Sequence, residues 1–209
     1  MEKKLKLEIL DKERIKILSL LKIFKDDFYL AGGTGLALQL GHRESVDFDF
    51  FALGDFDLSS INEKVRTVFK NYKIIVLQFE ANTYSVILND EIKLSFFKIK
   101  DGVILPLIQS EWFQLCDEVE IGAMKVAALF RGAYRDYLDI YFILINNTLE
   151  SILEICNKKY REFDQSLYLK ALLSYDDIEE TPINFLPGKE KNPKEVFTFI
   201  EKKVKLFLA

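Results

Sequence analysis

Apolar positions recur at helical spacing near the start of the chain, where Ile17, Leu20, Leu21 and Phe24 form one stripe of an amphipathic helix over residues 11–26. The period then changes. Between Phe28 and Phe51 the pattern predicts a short apolar strand, a helix through Leu36 and Leu40, and a second apolar strand. Ser59 and Ser60 can cap a helix that runs to about Tyr72. Residues 73–79, 83–88 and 92–99 alternate or run apolar and read as strands, the last two joined at Asn89-Asp90. From Asp117 onward the pattern is helical. Asp117 followed by Glu120 has the form of a helix start, and further starts fall at Thr148, at Asp164 and at Asn192-Pro193, where proline suits the first turn. Residues 182–193 hold three of the four prolines and read as a loop. The fold class is α+β, with no internal repeat or low-complexity tract.

Composition narrows the setting. A chain of 209 residues, 49% hydrophobic and 30% charged, can bury an ample core in one domain or two small ones. Cys116 and Cys156 have no metal-ligand spacing, so both are expected as free thiols in a reducing, cytoplasmic setting. Met1–Lys6 lacks the apolar core of a signal peptide, and no apolar run reaches the ~20 residues of a membrane span. A net charge of −4 argues against a dedicated nucleic-acid binder but leaves room for local basic patches. Three clusters qualify: Lys158, Lys159 and Arg161; Lys189, Lys191 and Lys194; and Lys202, Lys203 and Lys205. Each also fits a solvated helix face. His42 is the only histidine and suits a structural hydrogen bond. Trp112, with Phe113 and Leu115, suits core or interdomain packing.

The chemistry concentrates between Tyr29 and Phe51. A glycine turn, Gly32-Gly33, ends the first strand and opens a helix, and the next strand carries Asp47 and Asp49. Alternate strand residues share a face, so these carboxylates lie ~7 Å apart with Ser45 in the same parity, opposite Val46, Phe48 and Phe50. Glycines let a phosphate approach the backbone, and a helix start offers it N–H groups and a positive dipole end. Thr34 could add a hydroxyl and Arg43 a bidentate fork for phosphate oxygens. Magnesium prefers one or two carboxylates together with substrate phosphates. The same residues also fit a plain turn and a solvated strand edge.

Gly32-Gly33-Thr34-Gly35-Leu36-Ala37, then Gly41-His42-Arg43-Glu44-Ser45-Val46-Asp47-Phe48-Asp49, resembles the first motifs of the AbiEii-type nucleotidyltransferases. These are toxins of type IV toxin–antitoxin or abortive-infection systems, within the DNA polymerase β-like superfamily. Ile121–Arg131 is similar to that family's third motif, with Lys125 and Arg131 on a helix. Tyr134–Phe142 is similar to the fourth, with Asp136 and Asp139 three residues apart on one helical face. Read without the resemblance, these two blocks better describe a Lys/Arg–Asp ion-pair network joining two helices.

The resemblance implies a polymerase β-like nucleotidyltransferase core with a mixed sheet flanked by helices over residues 1–115. A helical portion, residues 116–209, would complete the active cleft. It implies that Asp47 and Asp49 bind Mg2+ and the NTP, and that Gly33 and Thr34 contact phosphates with Ser45 lining the same pocket, where the residue reading above also puts Gly32 and Arg43. Lys125 would neutralise the triphosphate, Asp136 would serve as ligand or proton acceptor, and Arg131 and Asp139 would orient them. The implied reaction moves a nucleoside monophosphate to an acceptor hydroxyl of RNA, such as a tRNA 3′ end, in a toxin opposed by a cognate antitoxin. Related enzymes supply a third carboxylate from a later strand, where this chain has Ser95. The competing reading is therefore a non-catalytic nucleotide-binding regulatory module.

Overall fold

A computed structural model describes residues 3–80, 82–175, 178 and 181–209, leaving the first two residues of Met1–Lys6 outside. The chain divides into two compact units: residues up to 41 with 45–116, and residues 42–44 with 117–209.

The first unit holds a mixed sheet in the order β3-β4-β5-β2-β1-β7-β6. Its strands are β1 (Phe28–Ala31), β2 (Phe48–Ala52), β3 (Ile74–Glu80), β4 (Thr83–Leu88), β5 (Ile92–Phe97), β6 (Ile108–Gln109) and β7 (Gln114–Leu115). Helices α1 (Lys12–Leu21), α2 (Gly32–Leu40) and α3 (Leu58–Val68) accompany it. β1 pairs antiparallel with β2 and parallel with β7, while β2 pairs parallel with β5. In register, Leu30, Phe50, Phe96 and Tyr84 form a buried row across four strands. Phe24 packs on it, with its ring 4.9 Å from Phe96. The opposite face carries the row Asp49, Ser95, Ser85. The two-residue strands β6 and β7 had no sequence signal, being too short to show a period. Phe113 and Leu115 are buried beside them, and Trp112 is half-buried.

Two sequence expectations shift. The buried stripe of α1 is Arg14, Ile17, Leu18 and Leu21, with Leu20 only half-buried. α3 is capped by Asp57, whose side chain accepts the backbone N–H of Ser60, so the serines sit inside the helix.

The second unit contains α4 (Glu118–Ala128), α5 (Tyr134–Asn146), α6 (Leu149–Lys159), α7 (Gln165–Leu173) and α8 (Pro193–Leu208). Asp117, Thr148, Asp164 and Asn192 cap α4, α6, α7 and α8 where expected, and Asn192 forms a full capping box with Glu195. Glu120 does not cap α4. It is buried and accepts from Lys159 Nζ at 2.8 Å, which withdraws Lys159 from the basic surface cluster foreseen around it. α4 and α6 approach closely at Gly122, where a Cβ would stand 3.1 Å from Ile152 Cδ1. Tyr175 and Phe197 stack at 4.2 Å.

Both cysteines are buried, and neither forms a disulfide among the described residues. Among the described residues no helix is long and apolar enough to cross a membrane.

Candidate active site

In the first unit the sequence motif becomes a turn under a carboxylate. Gly32 adopts φ +63, a left-handed conformation that glycine takes without steric cost. A Cβ placed on it would lie 2.7 Å from Asp49 Oδ2, so the side chain of Asp49 rests over this glycine. α2 begins here with no side-chain cap bond, unlike α1 and α3. The start of a helix directs its first N–H groups outward, the arrangement that receives anions.

Asp49 lies within β2 and is half-buried. Asp47 just precedes the strand and is exposed, as is Val46, which the alternation had placed with the buried Phe48 and Phe50. The segment is irregular, so strict strand parity stops at Phe48. Two contacts hold it instead. Thr34 Oγ1 is hydrogen-bonded to Ser45 Oγ at 2.8 Å and to the carbonyl of Asp47, which commits the buried hydroxyl of Thr34 to positioning this segment. Arg14 donates from Nε to the Val46 carbonyl at 2.7 Å and from Nη2 to the Glu91 carbonyl at 2.8 Å.

Arg14 was not foreseen as a site residue. Its signal was a cation on the buried stripe, three residues before Ile17. Ser95 pairs in register with Asp49. It is buried, and its hydroxyl finds no hydrogen-bond partner among the described residues.

The pair suits a divalent cation. Two hard carboxylates, one exposed and one half-buried, with a glycine turn beside them, match magnesium's habit of taking one or two protein carboxylates and substrate phosphates. No group of three or more His, Cys, Asp or Glu residues fit for a metal occurs among the described residues.

In the second unit the remaining motif residues form a network that is buried except for the exposed Arg131. Lys125 of α4 contacts Asp136 at 2.8 Å and Asp139 at 2.6 Å, both on α5. Arg131 reaches Asp136 from Nε at 2.7 Å and from Nη2 at 2.8 Å. Arg43 grips Asp139 through both oxygens, from Nε at 2.8 Å and Nη2 at 2.9 Å, so its fork is occupied by a carboxylate of its own unit. His42 Nε2 bonds the same Asp139 oxygen at 2.8 Å.

Residues 42–44 are seated by backbone contacts: Glu44 N–H donates to the Asn184 carbonyl at 2.8 Å, and Leu186 N–H to that of His42 at 3.3 Å. Burial alone would raise the Asp139 carboxyl. Lys125, Arg43 and the hydrogen bonds from His42 and Arg43 outweigh it and hold the group well below its ordinary range. Burial lowers His42 against the opposing pull of Asp139. The arrangement is the two-helix ion-pair network that charge spacing allowed, extended by His42 and Arg43.

Comparison with known proteins bears on both units. The model of the family described as "Nucleotidyl transferase AbiEii toxin, Type IV TA system" matches residues 17–205. An uncharacterized protein of Aquifex aeolicus (strain VF5) is 30% identical over 194 residues, covering 88% of this chain and 89% of that protein. The fold resembles the crystal structure of JHP933 from Helicobacter pylori, with TM-score 0.61 and 16% identity over 95% of this chain and 91% of that one. It also resembles the Megavirus polyadenylate synthase, with TM-score 0.51 and 13% identity over 68% of this chain and 34% of that one.

Proposed function

From the premise that the chain belongs to the AbiEii nucleotidyl transferase toxin family, established by the match over residues 17–205, we propose magnesium-dependent transfer of a nucleoside monophosphate from an NTP to an acceptor hydroxyl of RNA, such as a tRNA 3′ end. The observation that carries this reading is the seat of Asp49 over the Gly32 turn at the uncapped start of α2. Carboxylates and phosphate-binding N–H groups then converge within one turn of backbone.

In this reading Asp47 and Asp49 would hold the magnesium, which when bound screens the phosphate charge and polarises the α-phosphate. The N–H groups of Gly32 and Gly33 receive phosphate oxygens, and Ser45, fixed by Thr34, lines the same pocket. The acceptor oxygen forms a bond to the α-phosphorus, the bond to pyrophosphate breaks, and the acceptor's proton passes to solvent water. Within the helical unit, Lys125 and Arg131 hold Asp136 in place. Arg43 takes a supporting part through Asp139 in place of a direct phosphate contact. Family membership also implies a cognate antitoxin.

The test is transfer of label from each α-labelled NTP to bulk tRNA with magnesium present, beside Asp47→Asn and Asp49→Asn variants. Labelled RNA that falls below about 1% of wild type in each variant supports the reading, since loss of metal stabilisation removes several kcal/mol from the transition state. Folded protein that binds Mg-NTP yet labels nothing would replace it with the regulatory module.

A further inference from the structure

The two edges of the sheet are unlike. One ends in β6, only two residues long, where the N–H of Lys3 donates to the Gln109 carbonyl at 2.9 Å. The other is β3, seven residues long, where Ile75, Val76, Leu77 and Phe79 are 38%, 38%, 50% and 46% exposed. A long apolar edge is a template for a further strand.

We propose that β3 pairs antiparallel with β3 of a second copy of this chain across a two-fold axis, joining two sheets into one. Charge and facing both specify the register. An axis between Val76 and Leu77 sets Lys73 opposite Glu80, Ile74 opposite Phe79 and Ile75 opposite Gln78, each pair formed twice. Opposed residues in a ladder share a face, and in a regular strand these pairs would point to opposite faces. The β-bulge between Val76 and Gln78 removes that conflict.

Through β4, Ile74 and Phe79 lie opposite Leu88 and Tyr84, on the core face. Ile75, Gln78 and Glu80 lie opposite Ile87, Ser85 and Thr83, on the other face. Lys73 alternates onto the same face as Glu80. Its backbone is held by Asn89 at 2.9 Å, extending the strand by one residue. Its ammonium meets Asp90 only in an exposed ion pair, which exchanges readily. The bulge thus makes the strand complementary to itself.

The test is sedimentation of the full chain over ~1–200 µM, a range that covers modest interfaces. Wild type is expected to reach twice the 24.4 kDa chain mass, and Val76→Lys to remain at chain mass with an unchanged melting curve. Lys73→Glu and Glu80→Lys should each raise the dimer dissociation constant about threefold to tenfold, and the double reversal should restore it. Wild type at chain mass throughout, a Val76→Lys dimer of wild-type affinity, or a double reversal no better than the single changes would each overturn the proposal.

Discussion

Asp49 and Gly32 occupy one space: a single methyl group on the glycine would stand 2.7 Å from the carboxylate oxygen. Gly32→Ala therefore incurs two penalties, a left-handed φ worth roughly 1–2 kcal/mol and a displaced carboxylate. Nucleotidyl transfer should fall about a hundredfold, the scale of a misplacement near 1 Å, while the melting temperature drops by only a few degrees. Single-turnover labelling beside a thermal melt separates the two effects.

Arg14 anchors the Asp47 segment from outside it. Arg14→Met leaves the carbonyls of Val46 and Glu91 without their donor, at about 1–3 kcal/mol for each group that stays buried. The expected result is a lower urea midpoint together with a raised KM for NTP. A raised KM with unchanged stability would contradict the anchoring role.

Asp139 balances Arg43, Lys125 and the ring of His42 in a buried setting. Asp139→Asn leaves two buried cations short of a counter-charge and should cost about 3–5 kcal/mol in urea unfolding.

The same network sets a pH dependence. The His42 pKa is lowered from 6.5, so below that pH the unfolded chain takes up a proton that the folded chain refuses. Its contribution is complete above pH 6.5 and is lost as the pH falls toward the folded value. Asp139, lowered from 3.8, acts in the same direction at lower pH: its contribution is complete above that value and lost as the pH falls through the folded one. Unfolding free energy measured from pH 8 to 5 should decline in wild type, and this upper limb should disappear in His42→Gln.

Lys158 and Lys159 are neighbours with opposite fates. Lys159 is buried on Glu120, whereas Lys158 is exposed. Lys159→Met should destabilise by about 3–5 kcal/mol and Lys158→Met by less than about 0.5, read from paired urea titrations.

That contrast marks how far the sequence could be read. Local chemistry was legible: the glycine turn, the aspartates and the caps at Asp117, Thr148, Asp164 and Asn192 depend on residues a few positions apart. Partners distant in sequence were not. Arg43 looked like a free phosphate fork because Asp139 lies 96 residues away. Lys159 looked solvated because Glu120 lies 39 residues back. Arg14 shared a stripe with Ile17 and Leu21, yet nothing nearby in sequence announced the carbonyls it serves. Strands of two residues leave no period to detect, which concealed β6 and β7.

The membership of His42–Glu44 in the helical unit has a consequence for any attempt to dissect the chain. A fragment beginning at Asp117 would contain Asp139 but lack the guanidinium and imidazole that neutralise and orient it. Severed at that natural-looking border, the helices would inherit an incomplete interior. The helical unit thus includes three residues from early in the chain, and a transplant of it must carry that thread along.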